Sequence, residues 1–197
     1  MKKQILILTV LLSTFLFTSC TDNDDTLQLG GKIVVNGVEQ PLSKAFLVPN
    51  YTGDNPDFDK RRFYLVLTNG DIVMQNNTYA FSDNITQLID FNMYTSADNP
   101  GSVEYTTYNL FNSHTDTGFN DALIDHSSIN TNVVLQNGEY VSGNSLSSDD
   151  MTSGQATISF SNGIYTINFS FSNADNTVTG TYKGHVTELN YQYETEE

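Results

Sequence analysis

The 197-residue chain contains one cysteine and no tryptophan. A single cysteine excludes an intramolecular disulfide, which small exported domains often use for stability. A folded domain must therefore be stabilised by the burial of apolar side chains, and the chain is long enough for one domain with a substantial core. Phenylalanine and tyrosine, which bring the aromatic share to 12%, supply bulk for that core.

Positive charge is also scarce. The chain has 8 lysine and arginine residues against 23 aspartate and glutamate residues, and its formal net charge is −15. An acidic surface repels phosphate backbones and anionic headgroups. The composition therefore argues against nucleic acid and polyanionic substrates as partners, and it is typical of a domain that stays soluble outside the cell.

The short motifs of the commonest enzymes are missing. The sequence has no phosphate-cradling Gly-Lys loop, no dinucleotide glycine fingerprint, no His-Glu-x-x-His and no Gly-x-Ser-x-Gly elbow. We therefore predict that the protein is not an enzyme and that it carries no cofactor.

The only long apolar run lies at the N-terminus. Lys2 and Lys3 precede an almost wholly apolar stretch, residues 5–17, and Cys20 follows it. The run is too short for an ordinary transmembrane helix, which needs about 20 residues. A charged start, a short apolar segment and small residues before a cleavage point are typical of a secretory signal. We predict a signal peptide over residues 1–19.

The stretch from Phe17 to Cys20 resembles the lipobox of bacterial lipoproteins, in which the cysteine becomes the first mature residue and is acylated. Phe17 stands where leucine is usual, a variation familiar in lipoproteins of the Bacteroidota. Acyl chains on Cys20 would anchor the protein, because each buried methylene contributes about 0.8 kcal/mol. The resemblance implies an outer-membrane lipoprotein with a lipidated, flexible tether over residues 20–28.

The predicted tether also indicates on which side of the outer membrane the protein lies. Its acidic segment, from Asp22 to Asp25, resembles the surface-export signal of Bacteroidota lipoproteins. This resemblance implies exposure on the cell surface, with a periplasm-facing protein as the alternative.

Asn-Gly occurs four times, each time between apolar or β-branched residues, and begins at Asn36, Asn69, Asn137 and Asn162. The dipeptide tolerates positive φ at both central positions of a turn, so it is the leading signature of a type I′ hairpin. We predict four hairpins, in which the segments that flank each turn pair with each other.

Period-two alternation is clearest in the last third of the chain. Apolar residues alternate with polar ones over residues 156–160, 165–171 and 178–186, so one face of each segment contacts a core. Many short strands joined by polar turns predict one all-β domain over residues 29–197. We expect an antiparallel β-sandwich built of hairpins, with a lipocalin-like up-and-down β-barrel as the alternative.

Several of these segments resemble a broad group of Bacteroidota envelope lipoproteins. They are VNGVEQPL, FYLVLTNG, NPGSVEYTTYNL and the run from Gly154 to Leu189, which contains a G-x-Y-x-G strand from Gly180 to Gly184. The group is largely of unknown function. The resemblance implies an all-β surface or periplasmic domain, and it carries over no catalytic residue.

One polar segment, NSHTDTGFNDALIDH, is rich in potential metal ligands. Histidine and carboxylate side chains suit zinc, manganese or iron, so His114, Asp116, Asp121 and His126 are candidate ligands. Asp125 lies in the same segment. A connection so rich in Asn, Ser and Thr also produces such clusters by composition, and we expect turn hydrogen bonds there rather than a bound metal.

A second polar segment, YTGDNPDFDKRR, contains Asp54, Asp57 and Asp59, whose oxygens are the ligands that calcium prefers. The spacing is not that of an EF-hand. The three cations that follow, from Lys60 to Arg62, would neutralise the carboxylates instead.

Aromatic side chains are the remaining candidates, as a platform on which a sugar ring stacks. They are Tyr105, Tyr108, Phe111, Tyr165, Tyr182, Tyr191 and Tyr193. Sugar-binding surfaces often use tryptophan, which is missing here. Core positions and cross-strand pairs explain most of these rings better.

These observations together predict a lipid-anchored envelope protein that acts as a binding or interaction module. The membrane would be one partner, through Cys20, and a glycan or another envelope protein would be the other. Two alternatives stay open: a small hydrolase or metal-dependent enzyme that uses residues 114–126, and a carrier of a small apolar ligand in a barrel mouth.

Overall fold

The computed structural model describes residues 28–48, 61–75, 78–98, 103–111 and 121–189. The predicted signal peptide, Cys20 and nearly all of the predicted tether lie outside the described residues. In the part that is described, no helix is long and apolar enough to cross a bilayer.

The described residues form strands and a single 3-10 turn, Ser148–Asp150. The strands are β1 (Gly30–Val35), β2 (Val38–Leu42), β3 (Lys44–Val48), β4 (Arg62–Thr68), β5 (Ile72–Gln75), β6 (Thr78–Phe81), β7 (Gln87–Tyr94), β8 (Thr107–Leu110), β9 (Leu123–Ile124), β10 (Ser128–Gln136), β11 (Glu139–Ser147), β12 (Ser153–Ser161), β13 (Ile164–Ser172), β14 (Thr177–Gly184) and β15 (Thr187–Glu188). The predicted all-β class is confirmed.

Thirteen strands join in one mixed sheet, in the order β15-β3-β4-β7-β9-β8-β12-β13-β14-β1-β2, with β10 branching from β7 and carrying β11. β15 is parallel to β3 and β8 is parallel to β9, whereas the other neighbours are antiparallel. The remaining two strands, β5 and β6, pair with each other. The sheet curls into a half-barrel, an arrangement that lies between the predicted sandwich and its barrel alternative.

The core lies between two limbs of this curled sheet. The first limb contains β3, β4 and β7, and the second contains β12, β13, β14 and β1; buried residues of both form one cluster. Phe91 of β7 joins them, because its ring centroid lies 5.2 Å from that of Phe169 and 5.8 Å from that of Phe171, both on β13. Each buried aromatic side chain contributes about 1.5–3 kcal/mol.

The G-x-Y-x-G strand owes its glycines to this core. A side chain at Gly180 would run into the ring of Phe169, and one at Gly184 would lie 2.6 Å from the hydroxyl of Tyr182. The two glycines therefore leave room for the side chains of Phe169 and Tyr182 to lie close to the backbone of β14. The alternation predicted for this region is confirmed, since the buried side chains include Ala156, Ile158, Ile167, Phe169, Phe171, Val178 and Tyr182.

Three of the four predicted Asn-Gly hairpins are confirmed. Asn36, Asn137 and Asn162 have φ values of 50°, 55° and 52°, and the glycines that follow them have φ values of 83°, 81° and 80°. Positive φ at both central positions defines the type I′ turn. These turns join β1 to β2, β10 to β11 and β12 to β13.

The fourth hairpin prediction is wrong, because β4 pairs with β3 and β7 whereas β5 pairs with β6. Asn69 instead holds the segment that enters β7. Its Oδ1 accepts hydrogen bonds from the backbone N–H groups of Thr86 and Gln87 at 2.9 and 3.0 Å. Its Nδ2 donates to Thr86 Oγ1 at 3.0 Å. The conformation at Asn69 therefore depends on hydrogen bonds to residues 17 and 18 positions later in the chain. The Asn-Gly dipeptide alone does not predict such bonds.

Removal of the Asn69 side chain tests this explanation. Asn69→Ala leaves the N–H groups of Thr86 and Gln87 without their acceptor, so we expect the free energy of unfolding to fall by roughly 1–2 kcal/mol. Asn69→Asp keeps an acceptor oxygen at the same place and should lose less than half as much. Urea unfolding followed by circular dichroism measures both, and equal losses in the two variants would contradict the assigned role.

Candidate functional site

Two of the four residues predicted as metal ligands, His114 and Asp116, lie outside the described residues. The other two have different surroundings. The backbone carbonyl of Asp121 accepts a hydrogen bond from Arg61 Nη2 at 3.2 Å. His126 lies instead between the carboxylates of Asp125 and Asp149, which are not in the predicted set. The described part of the chain therefore does not bring the four predicted ligands together.

The neighbours of His126 are Asp125 and Asp149. The distance from His126 Nδ1 to Asp149 Oδ2 is 3.1 Å, and that from Nε2 to Asp125 Oδ2 is 3.6 Å. Burial raises the pKa of the Asp125 carboxyl, and the nearby His126 opposes this shift. The sequence had placed Asp125 near His126, but Asp149 comes from the 3-10 turn far along the chain and was missed.

The predicted calcium segment is described only at its end. Asp54, Asp57 and Asp59 lie outside the described residues. Arg61, which follows them, is buried, and its Nε donates to the backbone carbonyl of Thr95 at 2.7 Å. This arginine therefore fixes the end of β7 against the entry to β4.

Three aromatic side chains form an exposed cluster, which we call the aromatic patch: Tyr105, Phe160 and Tyr165. The rings of Tyr105 and Phe160 are stacked, with centroids 5.4 Å apart and an angle of 17° between their planes. Tyr165 lies 4.7 Å from Phe160 and 6.1 Å from Tyr105, measured between centroids. Tyr105 is 54% exposed and Phe160 is 43% exposed, so both rings face solvent.

The exposure of the aromatic patch follows from where the core ends. Phe160 and Tyr165 are opposite each other on β12 and β13, next to the Asn162-Gly163 turn. By alternation they continue the core-facing side of the hairpin, on which Ile158 and Ile167 are fully covered. Tyr165 packs partly against the core and Phe160 extends beyond it. The aromatic patch is thus the part of the core-facing side that other side chains leave exposed to solvent.

Tyr105 reaches the patch because the segment before β8 is clamped. The backbone N–H of Glu104 donates to the hydroxyl of Tyr108 at 3.0 Å, and that hydroxyl donates to the carbonyl of Glu104 at 2.9 Å. The Glu104 carboxylate accepts hydrogen bonds from the backbone N–H and the hydroxyl of Ser96. The N–H of Ile158 on β12 donates to the carbonyl of Thr106 at 2.9 Å. These bonds fix the backbone on both sides of Tyr105.

Polar groups border the aromatic patch. Burial, together with a side-chain hydrogen bond to Tyr105, raises the pKa of Tyr165 to about 12. The negative charge of Glu188 on β15 adds to this rise in the pKa. The patch therefore combines flat apolar surface with two tyrosine hydroxyls, and it feels the charge of one carboxylate.

The structure sorts the seven aromatic residues named from the sequence. Tyr108 and Tyr182 belong to the buried core, whereas Tyr105 and Tyr165 belong to the aromatic patch. Phe111 is half-buried. Tyr191 and Tyr193 lie outside the described residues. Phe160 was missed, although its position at the end of an alternating strand, beside an Asn-Gly turn, is the signal that marks it.

Another candidate surface is an open cleft of about 730 Å³ over β1, β2 and β14. Lys32, Glu39 and Lys183 line it, and Lys32 Nζ lies 2.7 Å from Glu39 Oε2. Both partners of this ion pair are largely exposed, so the pair contributes under about 1 kcal/mol. The described residues that line this cleft include no aromatic ring, so it offers a ligand less flat apolar surface than the aromatic patch does.

Asp90 of β7 is a half-buried residue with a buried Oδ1, on the side of the first limb that faces away from the core. Burial raises its pKa to about 6, and within the described residues its Oδ1 has no hydrogen-bond partner. Such carboxyls are candidates for acid–base chemistry. The residues directly opposite, Val66 on β4 and Ser128 on β10, are not titratable. The observation on Asp90 that can be tested is therefore the cost of burying its charge.

Asp90 makes stability depend on pH in a defined direction. Its pKa is higher in the folded than in the unfolded chain, so its contribution falls as the pH rises from about 4 to about 6, by about 3 kcal/mol in total. Asp90→Asn should therefore stabilise the protein by roughly 1–3 kcal/mol at pH 7 and by much less at pH 4.5. Urea unfolding at both pH values measures this.

The matched control is Asp175→Asn, which removes an exposed carboxyl between β13 and β14. It should change the free energy of unfolding little at either pH. A gain for Asp90→Asn that is the same at pH 4.5 and pH 7 would contradict the buried-charge explanation.

Comparison of the chain with protein-family models, curated proteins and solved structures found no match. Function must therefore be argued from the chemistry of the site and not from analogy of fold.

Proposed function

We propose that the protein is a lipid-anchored binding module of the bacterial envelope that recognises a glycan through its aromatic patch. The observation that carries this proposal is the group of three adjoining rings, of which two are largely exposed. Contiguous exposed apolar surface is unfavourable in water, and on a folded domain it marks a surface that binds a partner.

The chemistry of the aromatic patch suits a sugar. A pyranose has a face of C–H groups, which packs on a flat ring, and a rim of hydroxyls, which needs hydrogen-bond partners. Tyr105 and Phe160 present stacked rings, the hydroxyls of Tyr105 and Tyr165 donate and accept, and the Glu188 carboxylate accepts. Tyrosine combines apolar area with a polar end and loses little conformational entropy on binding.

The site favours a binding module over the two alternatives. The described part of segment 114–126 does not assemble the predicted metal ligands, which gives the metal-dependent enzyme no support. The space between the limbs is filled by rings such as Phe91, Phe169 and Phe171, which gives the carrier of an apolar ligand none. We therefore propose a protein without catalytic activity.

The envelope location rests on the sequence. The lipobox-like stretch that ends at Cys20, and the acidic residues after it, support a lipoprotein tethered to the outer membrane and exposed on the cell surface. A short flexible tether would leave the aromatic patch free to contact glycans outside the cell.

A glycan array, followed by calorimetry on the best ligand, tests the binding function with the detergent-solubilised full-length protein. Tyr105→Ala and Phe160→Ala should each weaken binding at least tenfold, which corresponds to about 1.4 kcal/mol, because each removes one stacking ring. The control is Tyr140→Ala on β11, where an equally exposed tyrosine, at 50%, lies outside the patch. Equal affinity in all variants, or an array without hits, would refute the assignment.

Membrane fractionation with palmitate labelling tests the anchor separately. Wild-type protein should carry label and sediment with outer membranes, whereas Cys20→Ala should carry none and stay soluble, because no acyl chain remains to insert. Cys20→Ser is a second variant of nearly the same size. Label on Cys20→Ala, or wild-type protein that washes free of membranes, would rule out lipidation at this residue.

A further inference from the structure

Asp125, His126 and Asp149 form a compact group outside the aromatic patch. Their ligand atoms, one from each residue, all lie within 4.8 Å of one another. The separation of His126 Nδ1 and Asp149 Oδ2 is 3.1 Å. Two ligands bound to one zinc ion at ordinary distances are about 3.0–3.4 Å apart, so this pair already has the spacing of a shared metal. Asp125 Oδ2 lies 3.6 Å from the other ring nitrogen, Nε2, so this carboxylate would have to turn towards the ion.

The two segments that carry these side chains are bonded to each other. The backbone N–H of Ser127 donates to Ser148 Oγ at 2.7 Å, and the N–H of Ser148 donates to the carbonyl of Ser127 at 2.8 Å. The N–H of Asp149 donates to Ser147 Oγ at 3.2 Å. The turn after β9 and the 3-10 turn are therefore held side by side, which limits the movement that metal binding would require.

The backbone of Asn92 on β7 is hydrogen-bonded to the turn after β9, which carries Asp125 and His126. Its carbonyl accepts from the N–H of Asp125 at 2.9 Å, and its N–H donates to Ser127 Oγ at 3.1 Å. Asn92 is only 7% exposed, yet within the described residues its Oδ1 has no hydrogen-bond partner. The residue whose backbone holds this turn therefore carries a buried oxygen with unused hydrogen-bonding capacity.

We propose that Asp125, His126 and Asp149 bind a divalent transition metal ion of the zinc or manganese class. One imidazole nitrogen and two carboxylate oxygens are the mixed donor set that these ions accept, whereas calcium prefers oxygen alone. His126 is 69% exposed on its side chain and Asp149 is 57% exposed, so water completes the coordination shell and the ion enters directly from solution. The metal would link the turn after β9 to the 3-10 turn.

The competing explanation is an imidazole ring held between two carboxylates by hydrogen bonds, without any metal. The two differ in their response to added metal. A metal site gives binding heat and stabilises the folded protein when zinc is added, whereas a ring held only by hydrogen bonds gives neither.

The test is a metal titration of the detergent-solubilised full-length protein, after treatment with a chelator, by calorimetry and thermal unfolding. Zinc chloride and manganese chloride are the probes, and calcium chloride is the comparison. Zinc in large excess over its dissociation constant should raise Tm by about 3 °C or more, since a ligand of the folded state stabilises it. The shift should be reversed by chelator.

Two variants and a control assign the response to the site. His126→Asn removes the ring but tolerates the left-handed backbone of this residue, whose φ is 48°, so it should fold. His126→Asn and Asp149→Asn should each lose at least nine-tenths of the Tm shift, whereas His185→Ala, which removes a histidine elsewhere, should retain it. A wild-type protein without binding heat, or a shift that survives in both site variants, would overturn the proposal.

Discussion

The fold depends on burial between the two limbs of one curled sheet, and the contact of Phe91 with Phe169 and Phe171 is its centre. No disulfide can assist, because the chain has a single cysteine. In a curled sheet that is stabilised by its interior, core-facing side chains are buried only as far as the opposite limb extends. The hairpin of β12 and β13 continues beyond that point near its Asn-Gly turn, so Phe160 and Tyr165 lie at the rim of the core. The exposed aromatic patch is therefore a consequence of how the core is closed.

Local rules predicted the elements well and their partners less well. Period-two alternation predicted β12, β13 and β14, and the Asn-Gly dipeptides predicted three turns. Both signals depend on residues that are close together in the chain. The pairing of β4 with β7, and the parallel contacts of β8 with β9 and β15 with β3, depend on the whole sheet. Asn69 illustrates the limit: its dipeptide is typical of a hairpin, but hydrogen bonds to Thr86 and Gln87 decide its role.

The same distinction applies to the sites. Tyr105 and Tyr165 were named among seven aromatic residues, but only the tertiary structure separates exposed rings from buried ones such as Tyr108. His126 was named as a metal ligand, and its described neighbours are Asp125 and Asp149. Asp149 was not a candidate, because its closeness arises from the bonds between Ser127 and Ser148 and not from spacing along the chain. Composition shows which chemistries are available, and long-range contacts select among them.

Charge and anchoring together limit what the proposed glycan site can bind. The chain is strongly acidic and the charge of Glu188 acts on Tyr165, so a sulfated or uronic-acid glycan would approach against repulsion, whereas a neutral one would not. Stacking on three rings is a modest interaction, and a single shallow patch binds weakly. A protein tethered through Cys20 would, however, be displayed in many copies on one surface. Many weak contacts to a repeating glycan then act together, because each bound copy raises the effective concentration of its neighbours. Weak affinity at one patch is therefore compatible with firm attachment of the whole surface.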